Sequence, residues 1–71
     1  MRSMTITVNG RARTIDVGVP ATIERVIDAL GLQGKRIAVE RNGSIVSRSR
    51  YGDTLLDEGD RLEIVGAVGG G

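Results

Sequence analysis

Thr22-Ile23-Glu24-Arg25-Val26-Ile27-Asp28-Ala29-Leu30-Gly31 decides the fold. Ile23, Val26, Ile27 and Leu30 fall at i, i+3, i+4 and i+7 and form one apolar stripe, while Glu24, Arg25 and Asp28 stay on the opposite side. Thr22 is a good N-cap and Gly31 supplies a left-handed stop. The spacing predicts one helix of about three turns or fewer, marginal alone and dependent on a docking surface. Leu32 is expected to pack under its end. The segments on either side read as strands, so that surface is a sheet.

Upstream, Gly18-Val19-Pro20-Ala21 breaks a strand. Before it, Thr5-Ile6-Thr7-Val8 and Arg13-Thr14-Ile15-Asp16-Val17 alternate polar and apolar residues around Asn9-Gly10, a strong tight-hairpin signal. Met4, Ile6, Val8, Ile15 and Val17 share one face of this hairpin, and Thr5, Thr7, Thr14 and Asp16 share the other. Residues 1–3, ahead of the second methionine, are set outside the fold as a leader or cloning remnant. Downstream, Arg36-Ile37-Ala38-Val39-Glu40-Arg41 is a third strand, and Asn42-Gly43 turns it into a fourth at Ser44-Ile45-Val46-Ser47. Residues 48–54 are polar and irregular, with room for a single helical turn, and Leu55 and Leu56 are expected to return to the core. Asp57-Glu58-Gly59-Asp60 is a turn, and Arg61-Leu62-Glu63-Ile64-Val65 is the last strand.

The order ββαββ(loop)β predicts an α+β domain over residues 4–66, one helix packed across a mixed sheet of four to five strands. The first and last strands are expected to be parallel neighbours at the sheet centre. The last strand, rigid and buried, then feeds a tail over residues 67–71, Ala67-Val68-Gly69-Gly70-Gly71. Glycine has no Cβ, so this flexible C-terminal Gly-Gly tail can thread extended into a channel too narrow for other residues. From Gly66 to Gly71 it reaches roughly 20 Å. Its terminal group is an α-carboxylate, ionised near neutral pH and able to attack an activated phosphate. The plain alternative is that Gly69 to Gly71 are a frayed terminus or a cloning remnant.

Composition narrows the chemistry. The 71 residues suffice for one domain with a small core. The chain has neither cysteine nor histidine, which leaves no disulfide, no thiolate nucleophile and no neutral-pH acid/base of the usual kind. Self-contained catalysis and a bound cofactor or metal are therefore not expected. Ten basic residues against nine acidic ones argue against a polyanion-binding surface, and one aromatic, Tyr51, leaves no stacking platform for nucleic acid. No apolar run has the length of a signal peptide or membrane span, so a cytoplasmic protein without membrane contact is expected.

Taken together, these residues resemble the sulfur carrier proteins of bacterial thiamine (thiazole) biosynthesis, of the ubiquitin-like β-grasp family. The resemblance is carried by Ile6-Thr7-Val8-Asn9-Gly10 with the helix 22–32, by the run from Ala38 through Asn42-Gly43 and Ile45-Val46 to Tyr51, and by Leu56–Ile64 followed by the glycine end. Ser47 stands where the family often has proline before the arginine, Tyr51 stands where tryptophan is common, and the chain ends in three glycines where the family needs two. Gly70 and Gly71 are therefore carried over as the reactive pair.

The resemblance implies that an ATP-dependent adenylyltransferase of the ubiquitin-activating type converts the Gly71 carboxylate to an acyl adenylate. Sulfur from a cysteine desulfurase or other persulfide donor then yields a thiocarboxylate, which thiazole synthase accepts. ATP and magnesium are used by the adenylating partner, and the chain itself is no enzyme. For docking the candidates are Ala67 and Val68, apolar in a tail that cannot fold back, with the adjoining Gly69, and Arg48 and Tyr51 after the fourth strand. Tyr51 reads first as a partly buried plug on a small core. Arg48, like Arg50, reads first as solvated, and the acidic group Asp53, Asp57, Glu58, Asp60 and Glu63 reads first as turn chemistry and solvated surface. Three other readings compete: the small subunit of molybdopterin synthase, with the same terminal chemistry; a ubiquitin-like protein modifier; and a β-grasp binding module with an inert tail.

Overall fold

The alternation at the start of the chain folds into a hairpin in the computed structural model, which describes residues 3–66. Strand β1 (Ser3–Val8) and strand β2 (Arg11–Asp16) pair antiparallel, with Val8 opposite Arg11 across the turn. Asn9 and Gly10 both take positive φ, 52° and 83°, as a two-residue turn matched to strand twist requires. Met4, Ile6, Val8, Ile15 and Val17 are buried on one face, as their alternation predicts. Ser3, set outside the fold in the sequence reading, belongs to β1 and pairs with Asp16.

Helix α1 (Ile23–Ala29) buries Ile23, Val26 and Ile27 against the sheet. Its ends are closed by hydrogen bonds. Thr22 Oγ1 accepts from Arg25 N at 3.3 Å. At the other end Gly31 (φ 72°) donates to Asp28 O and Leu32 N donates to Ile27 O, the pairing of a Schellman stop with Leu32 tucked beneath.

A second hairpin follows, β3 (Ile37–Arg41) with β4 (Ser44–Val46), turned by Asn42 and Gly43 at φ 51° and 89°. The polar stretch after it holds a 3₁₀ turn at Arg48–Arg50. Its role is to close the helix: Tyr51 O accepts from Glu24 N and Thr54 O from Ile23 N, both at 3.1 Å. Two N–H groups that a helix start leaves without an internal partner are satisfied there. Leu56 N donates to Ala21 O at 2.8 Å, and Leu55 bridges Thr22. In this extended segment successive side chains alternate sides. Leu56 is buried, but Leu55 is 59% exposed, which corrects the expectation that both return to the core.

Strand β5 (Arg61–Gly66) completes a five-stranded sheet of order β2-β1-β5-β3-β4. It runs parallel to β1 and antiparallel to β3, so the last strand lies at the centre as expected. This is the β-grasp arrangement. Leu62 and Ile64 point into the core, Leu62 with no exposed surface. Their neighbours do not: Val65 is 56% exposed and Gly66 is exposed, because the helix covers only one face of the sheet. The strand that feeds the tail is thus buried on one side only. No helix among the described residues is long and apolar enough to cross a membrane.

Candidate functional site: the exit of the central strand

Whatever the tail does, it does from the end of β5, and the fold holds that strand at both ends. At its start the turn 57–60 folds around Asp60, a buried acid. Asp60 Oδ2 accepts from Arg41 Nε and from Asp57 N, both at 2.8 Å, and Oδ1 accepts from Asn42 Nδ2 at 3.1 Å. Burial alone pushes the Asp60 carboxyl up. The Asp57 N–H, the Asn42 amide and the Arg41 guanidinium together outweigh it and hold the group below its ordinary value. The same turn continues the edge of β1, since Gly59 N donates to Thr5 O at 2.8 Å and Thr7 N donates to Asp60 O at 2.9 Å. Gly59 takes φ 84° to make that approach.

Each hairpin turn also sends its asparagine to β5. Asn42 Oδ1 accepts from Arg61 N at 2.9 Å. Asn9 Oδ1 accepts from Ile64 N at 2.7 Å and Asn9 Nδ2 donates to Ile64 O at 2.9 Å. Strand β1 ends at Val8, opposite Leu62, so the Asn9 amide stands in for the next residue of the ladder. On the other side β3 follows β5 to its end, with Ala38 opposite Val65 and Ile37 opposite Gly66. The point where the chain leaves the sheet is therefore fixed on two sides. Both asparagines were read in the sequence only as turn formers.

Ile37 also lines a small cleft of about 120 Å³ between the helix, the 32–35 connection and Tyr51. Tyr51 is thus brought to the same cleft as Ile37, half-buried and packed against the core. Arg48 is not part of that cleft; it is exposed in the 3₁₀ turn, where its carbonyl accepts from Tyr51 N. The other expected site residues, Ala67, Val68, Gly69, Gly70 and Gly71, lie outside the described residues. Of the acidic group, Asp60 and Asp57 serve the turn and Glu58 accepts from Thr5 N at 3.0 Å. Glu63 has a different setting, on the open face of the sheet, opposite Glu40. Among the described residues no group of three or more His, Cys, Asp or Glu side chains is placed to hold a metal ion.

Comparison with known proteins agrees with this geometry. The model of the ThiS family matches residues 6–71. The chain is 40% identical over 50 residues to the sulfur carrier protein ThiS of Bacillus subtilis, covering 70% of this chain and 76% of that one. It is 38% identical over 68 residues to a thiazole synthase of Paramagnetospirillum magneticum; 96% of this chain is covered, but it spans only 20% of that relative's length. Among solved structures, the crystal structure of the thiamine biosynthesis protein ThiS from Geobacter metallireducens superimposes with a TM-score of 0.79 at 33% identity, covering 96% of this chain and 100% of that one.

Proposed function

The chain belongs to the ThiS family, and from that premise we propose that it carries sulfur for thiamine biosynthesis on the carboxylate of Gly71. The observation that carries this reading is the match of the family over residues 6–71, which includes the glycine end, on a fold that seats the strand leading to it. The Gly71 carboxylate attacks the α-phosphorus of ATP in an adenylyltransferase, and pyrophosphate leaves. A persulfide sulfur then displaces AMP from the acyl adenylate, and a thiol cleaves the resulting sulfur–sulfur bond to leave the thiocarboxylate.

Thiazole synthase is the proposed acceptor. Two relatives of that name, from Paramagnetospirillum magneticum and Magnetococcus marinus, contain a stretch similar to this chain within a much longer polypeptide. The residues suit the chemistry, because a glycine acyl carbon has no side chain to obstruct attack and a narrow tail lets the partner exclude water from a hydrolysable intermediate. Ala67, Val68 and Gly69 line the partner's channel in this reading, with Tyr51 beside the exit and Arg48 further out. The acid/base groups, ATP and magnesium belong to the partners, in the cytoplasm.

The test uses purified chain incubated with adenylyltransferase, ATP and a sulfur source, then alkylated with iodoacetamide and weighed intact beside a form lacking Gly70 and Gly71. The chain has no cysteine, so thiol-type alkylation reports the thiocarboxylate alone. Alkylation of the full chain, absent from the truncated one, is the expected result. No alkylation with a partner active on another carrier overturns the proposal in favour of a modifier or a binding module. Consumption of the product by molybdopterin synthase rather than thiazole synthase assigns it to the sister pathway.

A further inference from the structure

Lys35 is the only lysine of the chain, and the chain has no cysteine, so its ε-amine is the one strong side-chain nucleophile. The residue is exposed. Its backbone N–H donates to Leu32 O at 3.1 Å, and it lines the cleft beside Ile37 and Tyr51. Lys35 has no ion pair among the described residues. Strands β3 and β5 run antiparallel, so Lys35, just ahead of β3, stands at the end of the sheet from which the tail leaves. It precedes Ile37 by two residues, at most about 7 Å. Ile37 and Gly66 are direct partners across the ladder, about 5 Å apart. The five residues after Gly66 reach about 17 Å, so Gly71 meets Lys35 without packing back over the core. The start of the chain lies the other way. Strand β1 is parallel to β5 with Val8 opposite Leu62, which puts Ser3 roughly 30 Å behind Gly66. An amine there is beyond the tail's reach.

We infer that Lys35 is an acylation site, at which an activated tail that meets no sulfur closes on its own chain. The inference rests on the sulfur-carrier reading and adds to it the fate of an acyl adenylate released before sulfur arrives. The unprotonated Lys35 Nζ attacks the Gly71 acyl carbon and a carbon–nitrogen bond forms. The carbon–oxygen bond to the phosphate breaks, AMP leaves with the electron pair, and the nitrogen gives a proton to solvent. The product is an internal amide, one water lighter than the parent chain, with no terminal carboxylate left to adenylate. Closure is favoured over the same attack between chains, since a tether of this length holds the amine at an effective concentration on the order of millimolar. Inside the partner's channel the extended tail keeps Gly71 away from Lys35, so closure competes with hydrolysis only after release. Sulfur supply then decides the outcome: a thiocarboxylate when a persulfide arrives first, a closed and retired carrier when none does.

The full-length chain is incubated with the adenylyltransferase and ATP, with and without a sulfur source, and followed by intact mass, peptide mapping and pyrophosphate release. Expected without sulfur is a monomeric species one water lighter, absent when ATP is omitted, in which an amide joins Lys35 to Gly71. A sulfur source lowers it in favour of alkylatable thiocarboxylate. K35R keeps the charge and loses the nucleophile. It is expected to form at least about tenfold less of the lighter species, with pyrophosphate release and thiocarboxylate within about twofold of the parent. K35R/Q33K, with an amine returned to the same cleft, is expected to close again, and K35R/S3K, with the amine at the far end of the sheet, is expected to stay open. Pyrophosphate release by the parent with no lighter species overturns the inference, as does a lighter species undiminished in K35R or an amide found only between chains. Failure of the parent chain itself to release pyrophosphate overturns the sulfur-carrier reading and this inference with it.

Discussion

The side chain of Asn9 pairs with the backbone of Ile64 as a strand residue would, accepting at 2.7 Å and donating at 2.9 Å across 55 positions of sequence. One amide extends a ladder whose neighbouring strand has already turned away. It does so beside the last two residues before the chain leaves the sheet.

Replacing Asn9 by glycine keeps a residue at home at φ 52° and removes only the amide. Two hydrogen bonds at about 0.5 to 1.5 kcal/mol each are lost, so unfolding in urea is expected to show a drop of about 2 kcal/mol. Asn9→Asp, which keeps the acceptor and loses the donor, falls between. Equal stability of Asn9→Gly and the parent chain contradicts the pairing.

Asp60 makes stability depend on acid. Its carboxyl is held below the ordinary value of 3.8 in the folded chain, so its contribution is complete above that value and is lost as pH falls through the lower, folded one. Asp60→Asn is expected to cost about 2 kcal/mol at neutral pH, since Arg41 loses the nearer and more buried of its two charged partners and keeps only the exposed Asp57. The gap between variant and parent narrows as the pH of a urea titration is lowered below 3.8. A gap that holds constant to the lowest pH removes Asp60 from that role.

Neighbouring leucines separate sharply. Leu56→Ala empties a buried position and is expected to cost about 2 to 4 kcal/mol, a large part of the stability of so small a domain. Leu55→Ser, at a side chain 59% exposed, is expected to stay within about 0.5 kcal/mol. Comparable melting shifts for the two argue against this placement.

Thr22 caps a helix of seven residues that has little stability of its own. Thr22→Ala is expected to lower stability by about 1 kcal/mol, and Thr22→Ser to restore most of it. Circular dichroism during urea unfolding checks both.

The elements and their order were legible in the sequence because each carries a local signal: alternation in the strands, the stripe 23-26-27-30 in the helix, Asn-Gly at both hairpins. The central parallel position of β5 followed from that order. What was not legible depends on partners distant in the chain. Nothing near Asn9 or Asn42 says that either side chain reaches β5, since glycine or aspartate would serve the turn as well. The polar run 48–54 looked irregular because its carbonyls, not its side chains, close the helix start. Leu55 and Leu56 are alike in sequence, and only the bridge to Thr22 decides which faces inward. At the candidate site, Tyr51 was named from the resemblance, and the structure places it in the cleft that Ile37 also lines. The opposition of Glu40 and Glu63 needed the register of β3 on β5.

Among the strands of the described residues the central one is also the last to be synthesised. Both hairpins and the helix leave the ribosome before residues 61–66, yet β1 and β3 have no common neighbour until those residues arrive. Pairing β1 with β5 closes a loop of most of the chain, the kind of contact that sets a slow step in folding. A nascent or half-assembled chain therefore has no seated exit to offer. Completion of the sheet and seating of β5 become a single event, so under the proposed sulfur-carrier role a partner that reads the sheet around β5 also screens for chains that have finished folding.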